Sequence, residues 1–488
     1  MRSLLVVALF VTFVVPASAL EVTRLRAPHA IRLSNHHLTR RGRIALTIRN
    51  DGGAPATFAD ASALAAAVGL VAAAAQGPIA CPGLGPEVSA PKHFPLTLPP
   101  GRKRAVEYRA TFDCAPDPDT KADWTFTAGA KTATTDVVDR RASTAYQLPG
   151  RYAVGTTQLM LVDASRPTMP NGTYPGAPDR SLPTIVWYPA DAAGTDVPVA
   201  GAGKPFPLVV FSHALGSTAD QSVQYTSHLA SHGYVVVAPA YPLSTLLAPG
   251  GPTVADTPAQ AGDVSFLIDT FLGFSADPAN RFAGAIDGER IAATGHSGGG
   301  ITTLVVAYDA GVRDPRIKAA IPLAPPSCWF QQGWFGAVTV PLLILQGDAD
   351  LLVDFTMNAH AIYERANPPK SLVRIAGGNH IGFADFGEQL DDTAVCALFP
   401  DPTSLTAGIM AMIASLGGAA DHVVFDGCTV SGCTGDPAHI DGHRQVQIAK
   451  QAATAFLEML FRDDKVAERY FYDELAATSP DLTHDFTR

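Results

Sequence analysis

One short stretch, Ile291 to Asp309, constrains the fold of this 488-residue chain more than any other. Ile291–Thr294 reads as a strand and runs directly into Gly295-His296-Ser297-Gly298-Gly299, and Gly300–Asp309 continues as an apolar helix. A serine between strand and helix must sit on a sharp turn, and its neighbours must be small because the backbone is crowded there. A bare Gly-x-Ser-x-Gly says little in a chain with 43 glycines; the flanking strand and helix give it meaning. Such a turn exposes the serine hydroxyl at the C-terminal edge of a sheet, with the positive end of the helix beside it. Ser297 is therefore the candidate nucleophile.

A serine hydroxyl attacks only when a base removes its proton, and the base must be held in one tautomer. In this architecture the acid and the histidine follow the serine in that order. Strand-like Pro341–Gln346 leads into Gly347-Asp348-Ala349-Asp350, and Ser371–Ala376 leads into Gly377-Gly378-Asn379-His380. Both loops fall on the sheet edge that carries Ser297, the edge where open α/β sheets bind ligands. His380 is the expected base. Asp350 is the preferred acid because it lies deeper in its loop, with Asp348 and Asp354 as competitors. His296 is adjacent to the serine, but its side chain should point away. His228 and His232 have helical spacing without the glutamate of a zinc-protease motif and read as surface or interface histidines; His439 and His443 read as part of a polar loop. No metal site is expected. An oxyanion hole needs the N–H after the nucleophile, Gly298, and a second from the loop His213-Ala214-Leu215-Gly216, most naturally Leu215.

The remainder of the chain divides by texture. From about Gly150, strands alternate with helices, the signature of a mostly parallel sheet flanked by helices: strands at Leu182–Tyr188, Phe206–Ser212, Tyr234–Ala240 and Lys318–Leu323, and helices at Gln221–Ser231 and Gln445–Phe461. Residues 20–145 differ. Arg43–Arg49 alternates polar and apolar residues, Ala105–Phe112 and Trp124–Ala130 resemble it, and Gly/Pro-rich turns lie between, as in a small β-sandwich; the Ala-rich Ala61–Gln76 has a helical reading instead. The expected organisation is an N-terminal β-rich domain at 20–145 and an α/β domain at 146–488 with a Cys-containing insertion at about 381–442.

Residues 1–19 read as an export signal: Arg2, an apolar run Leu4–Val15 too short to span a bilayer comfortably, and Ala17-Ser18-Ala19 as a cleavage site, with the mature chain starting near Leu20. No later segment is apolar enough to cross a membrane, so a secreted (extracellular or periplasmic) protein is expected. In that compartment Cys81, Cys114, Cys328, Cys396, Cys428 and Cys433 are expected in disulfides. Nearest-neighbour pairing gives 81–114, 328–396 and 428–433; zinc is the competing reading, without the usual two-residue spacing. The net charge of −10 is spread along the chain with no basic block, which argues against nucleic acid.

Phe211-Ser212-His213-Ala214-Leu215-Gly216, Leu229-Ala230-Ser231-His232-Gly233-Tyr234 and Gly295-His296-Ser297-Gly298-Gly299 resemble the secreted platelet-activating-factor acetylhydrolases and their bacterial relatives. They are similar at the same sites to dienelactone-hydrolase-like proteins and bacterial cutinase-type polyesterases. The stretch from Gly155 through Asp163 and Arg166 to Trp187-Tyr188-Pro189 resembles the same lineage, although Ala214 stands where a glycine is usual. The resemblance covers about residues 150–385 and the last helix. It implies an α/β-hydrolase fold and a carboxylic ester hydrolase that needs no cofactor.

The loop Pro325–Gly336 concentrates Trp329, Phe330 and Trp334 at the expected catalytic edge, where they either line a substrate pocket or form a small core. Ala407–Gly417 is a second apolar stretch with the length of a covering helix. Both favour an apolar ester, without choosing among lipid-like, short-chain and polymeric substrates. A peptidase or amidase using the same residues, and a non-catalytic binding protein that keeps the fold, remain as alternatives.

Overall fold

A computed structural model describes residues 20–34, 40–72, 94–112, 121–140, 146–396, 402–425, 428 and 438–488. The expected leader and Cys81, Cys114 and Cys433 lie outside these residues. The chain divides into two compact units, Met1–Ala145 and Tyr146–Arg488.

In the first unit the strands are β1 (Leu20–Arg26), β2 (Ala30–Ser34), β3 (Arg40–Asn50), β4 (Ala56–Phe58), β5 (Val71–Ala72), β6 (Leu96–Leu98), β7 (Lys103–Phe112), β8 (Lys121–Ala128) and β9 (Lys131–Arg140). They form a three-stranded sheet β1-β3-β7, a four-stranded sheet β2-β9-β8-β5 and a pair β4-β6. The alternation of β3 is realised in space: Ile44, Leu46 and Ile48 turn inward, opposite Val106 and Tyr108 of β7. Trp124, Phe126 and Val137 from the four-stranded sheet join them in one apolar cluster. The Ala-rich stretch is helical only over α1 (Ala61–Ala67), whose first turn is capped by the Asp60 carboxylate accepting from Ala63 N–H at 2.7 Å. Gly69, at φ +60°, ends it, and Val71–Ala72 is a strand; residues 73–76 lie outside the described residues.

The second unit holds ten strands among the described residues: β10 (Ala153–Asp163), β11 (Arg180–Ala190), β12 (Gly194–Thr195), β13 (Phe206–Ser212), β14 (Val235–Pro239), β15 (Ile286–His296), β16 (Ile317–Leu323), β17 (Leu342–Gly347), β18 (Lys370–Ile375) and β19 (Leu482–Thr487). They make one sheet in the order β12-β10-β11-β14-β13-β15-β16-β17-β18-β19. The run from β14 to β18 is parallel, and β10, β11 and β19 add antiparallel edges. The central strands are buried on both faces, which is why they read as unbroken apolar runs. The helices are α2 (Val223–Ser231), α3 (Thr257–Ala276), α4 (Gly298–Tyr308), α5 (Ala361–Arg365), α6 (Asp392–Cys396), α7 (Pro402–Ser415), α8 (Gly442–Arg462) and α9 (Lys465–Arg469). The apolar stripe of α8, from Val446 through Ala449 and Ala453 to Phe456, is buried.

Two expectations change here. His228 is buried rather than on the surface: its Nε2 meets Tyr146 O at 3.0 Å, and His232 Nε2 meets Leu148 O at 3.0 Å, so the pair anchors the start of the unit. Cys328 pairs with Cys428, not Cys396, and Cys428 therefore does not pair with Cys433. Cys396 is disulfide-bonded as well. The physical reason is spatial: residues 422–424 lie along the loop that follows β16, with Val424 N donating to Trp329 O at 2.9 Å, and this brings Cys428 to Cys328.

A buried ionic cluster fixes the edge of this unit. The fully buried Arg180 guanidinium on β11 grips Asp256 (2.9 and 3.0 Å) and Asp263 (both 2.6 Å). Arg166 joins Asp263 to Asp163 at 2.6 and 2.7 Å. Removing the central cation leaves Asp256 buried without a cation and Asp263 with Arg166 alone. Arg180→Ala should therefore destabilise the second unit by about 3–5 kcal/mol, read as an earlier urea unfolding transition; an unchanged midpoint would show that the cluster is relaxed by water.

Candidate functional site

The turn at Ser297 is set by crowding. A Cβ on Gly299 would lie 2.0 Å from Ser212 O, and one on Gly295 would lie 2.4 Å from Gly299 O, so neither position tolerates a side chain. Ser297 itself adopts φ +53°, a strained conformation for a residue with a Cβ. It is the residue before α4, yet its hydroxyl does not cap that helix. The hydroxyl faces His380 instead.

Ser297 Oγ and His380 Nε2 are 2.8 Å apart, and His380 Nδ1 lies 2.8 Å from Asp350 Oδ2. The other oxygen of Asp350 accepts from Leu352 N–H at 3.0 Å and Val353 N–H at 2.7 Å, which fixes the plane of the carboxylate. Asp350 and His380 are both buried. Asp348 is turned away: it pairs with Arg374 and accepts from Gly377 N–H at 2.7 Å. Asp354 accepts from Met357 N–H at 2.7 Å. Burial pulls the His380 pKa down, but the charge and hydrogen bond of Asp350, with a smaller contribution from Asp392, more than compensate and leave it raised. Burial likewise raises the Asp350 pKa, against the pull of His380.

Gly298 opens α4, so its N–H has no acceptor one turn back. Leu215 N is its neighbour: a Cβ on Gly298 would lie 3.1 Å from it. Leu215, Ser297, Gly298 and His380 all face one cleft of about 110 Å³. Trp329 lines this cleft. Phe330 and Trp334 do not: they stack on one another at 3.9 Å, and Trp334 packs against Tyr308 in the core. The strand pairing of the loop with residues 422–424 turns them inward.

Several residues that hold the site were not legible beforehand. His213 is kept neutral by burial, its pKa lowered to about 4. Its Nε2 accepts from Tyr241 N–H at 3.1 Å, so Nδ1–H donates to Ala214 O at 2.7 Å. Ala214 N–H donates to Gln221 Oε1 at 2.7 Å, and Gln221 Nε2 reaches His296 Nδ1 at 2.8 Å. His296 Nε2 meets His380 O at 2.8 Å. Burial keeps His296 neutral, so it accepts from Gln221 and donates to His380. The buried Asp392 accepts from Leu351 N–H (2.9 Å), His380 N–H (2.9 Å) and Ile381 N–H (3.1 Å), tying the loop of Asp350 to that of His380. Gln445 of α8 clasps both backbone groups of Asn379, at 3.0 and 2.8 Å. Sequence could mark His296 and Gln221 by proximity to motifs; nothing in it marks Asp392. Among the described residues no group of three or more metal-ligating side chains converges, and no helix is long and apolar enough to cross a membrane.

Over part of its length the chain is similar to known proteins. Residues 185–398 match the family model described as PETase, PET hydrolase-like. Cutinase est2 of Thermobifida alba is 31% identical over 155 residues, covering 31% of this chain and 45% of the relative. Cutinase 1 of Thermobifida cellulosilytica is 29% identical over 155 residues, covering 31% of this chain and 52% of the relative. The chain thus spans about half the length of the curated relatives it matches. Among solved structures, a ferulic acid esterase from Streptomyces cinnamoneus superposes with a TM-score of 0.45 at 21% identity, covering 70% of this chain and 98% of that one. The chain is thus similar to PET hydrolase-like proteins over residues 185–398 and to the Thermobifida cutinases over 155 residues.

Proposed function

We propose that this chain hydrolyses carboxylic esters through an acyl-enzyme on Ser297. The observation that carries the reading is the continuous hydrogen-bonded line Ser297 Oγ, His380, Asp350 at 2.8 Å per link. His380 Nε2 takes the hydroxyl proton as Ser297 Oγ bonds to the ester carbonyl carbon. The carbonyl oxygen becomes an oxyanion that accepts from the N–H groups of Leu215 and Gly298. His380 then returns the proton to the departing alkoxide, which leaves as the alcohol. A water molecule, deprotonated by the same imidazole, attacks the acyl-enzyme and releases the acid, restoring Ser297. Asp350 keeps the Nδ1–H tautomer and stabilises the imidazolium. No step calls on a metal or an organic cofactor.

The cutinase relatives support ester substrates, and the Cys328–Cys428 disulfide supports an oxidising compartment outside the cytoplasm. The first unit, whose two larger sheets share one core, is read as a β-sandwich accessory domain that precedes the catalytic domain.

A fluorophosphonate should label the wild type and fail on Ser297→Ala, and that variant should lose p-nitrophenyl acetate hydrolysis by about 10³-fold or more. Labelling that survives the substitution would move the nucleophile elsewhere. The pH profile follows from the His380 shift. The base works only when neutral, so kcat/KM should rise with pH through an inflection above the ordinary imidazole value of about 6.5. Asp392→Asn removes a charge that helps raise that pKa and cannot accept all three N–H bonds. It should move the inflection down and lower kcat roughly 10-fold through misplacement of His380, with KM less affected. An unmoved inflection with unchanged kcat would leave Asp392 with no part in positioning the base.

A further inference from the structure

The cleft beside Ser297 has a wall that the strand-and-helix core does not supply. Ile409 of α7 and Phe425 line it together with Val254, Ile301 and Trp329. Both residues come from the segment after His380. This wall is built into the fold. Met412 and Ile413 of α7, and Leu416 just beyond its end, are buried in the main core along with Ile409. At Gly408 the helix presses on the turn Val254–Asp256 so closely that a Cβ would lie 3.2 Å from Val254 Cγ2. Phe425 is held by the pairing next to it, Val424 N to Trp329 O at 2.9 Å and Gln331 N to His422 O at 3.0 Å, and by the Cys328–Cys428 disulfide. Close-packed interiors yield little space on demand.

The space that remains is small and uncharged. At about 110 Å³ it is smaller than a cavity of about 150 Å³, which accommodates one benzene molecule. Scaled by volume, its sheltered part takes an apolar group of about four carbons. No Asp, Glu, Lys or Arg is among the described residues lining it, so nothing there would compensate a charged group taken out of water. A polymer chain needs an open groove in which repeat units continue on both sides of the scissile bond, and a long acyl chain needs a tunnel. Ile409 and Phe425 take up one side of that space.

Resting on the ester-hydrolase reading above, we infer that the α7 segment restricts this site to small soluble esters of short, uncharged, apolar acyl or alcohol groups, and closes it to polyester strands and long-chain lipids. The specificity-determining residues are Ile409 and Phe425.

The test uses the full chain with two ester series. One varies the acyl group from p-nitrophenyl acetate through butyrate and octanoate to dodecanoate; the other varies the alcohol of alkyl acetates over the same lengths. An amorphous polyester film is incubated in parallel, and fluorophosphonate labelling counts competent sites in every sample. In at least one series kcat/KM should fall about 10-fold or more between four and eight carbons, since each methylene that a pocket refuses is costly. The film should release no soluble product above the Ser297→Ala control. Ile409→Ala and, separately, Phe425→Ala should raise the ratio of octanoate to butyrate turnover per labelled site, which a merely structural role would leave alone. Flat or rising kcat/KM to twelve carbons in both series, or film hydrolysis above the control, would overturn the inference while leaving the ester-hydrolase reading in place. No turnover of any ester, with Ser297 unlabelled, would overturn both.

Discussion

The close approach of Gly299 to the carbonyl of Ser212 is the constraint on which the site depends. With no Cβ in the way, α4 starts hard against the end of β13, and the backbone must turn through a positive φ at Ser297 to enter it. Strain of this kind costs on the order of 1–3 kcal/mol and persists only where the surroundings over-determine it. The surroundings here are the central strands of a parallel sheet with both faces covered, an environment that cannot relax locally. The same contact that strains the serine also brings the N–H groups of Leu215 and Gly298 beside one another. Presentation of the hydroxyl and juxtaposition of the two N–H groups proposed to hold an oxyanion are therefore one geometric event.

Around that turn, polar side chains inside the fold join the loops into one body. Ala214, Gln221, His296 and the His380 carbonyl form a relay from the loop after β13 to the loop after β18. Asp392 adds a second tie between the loops of Asp350 and His380, and Gln445 a third from α8. Buried polar networks raise the stakes, because each member left unpaired costs its full desolvation. Here every bond just named is made, so the network holds the imidazole in place. Both neutral histidines matter to this: a protonated His296 could no longer accept from Gln221, and burial keeps it from protonating.

Much of this was legible in sequence, for a definite reason. The residues proposed to do the chemistry sit in the loops after strands, and strands announce themselves as apolar runs, so Ser297, Asp350 and His380 could be placed on one edge by order alone. Asp348 and Asp350 could be ranked only by depth in their loop; Arg374, which takes up Asp348, is adjacent in space and not in pattern. Asp392 was invisible because a buried carboxylate bonded only to backbone N–H groups has no partner whose identity could signal it. Strands β10 and β19 were missed because β19 carries no apolar run and the short run Leu159–Val162 of β10 is half exposed, without the fully buried faces of the central strands. Phe330 and Trp334 were ambiguous between pocket and core because an aromatic side chain serves either, and the register with residues 422–424 decides.

The disulfide shows why pairing by sequence neighbourhood fails in a chain of this design. Nearest-neighbour logic assumes that an insertion folds upon itself. This one is anchored to the catalytic core at both ends: Asp392 near its start grips the loops of Asp350 and His380, and residues 422–424 near its end pair with the loop after β16. Cys428 is delivered to Cys328 across 100 residues of sequence. A loop of that length is where a cross-link removes the most chain entropy, of order 4–5 kcal/mol in the loop-closure model. That stabilisation falls on the pairing that positions Trp329 and Phe425, two walls of the cleft. The insertion thereby supplies Ile409 and Phe425 to the cleft beside Ser297, a wall that the sheet and the helices before it do not provide.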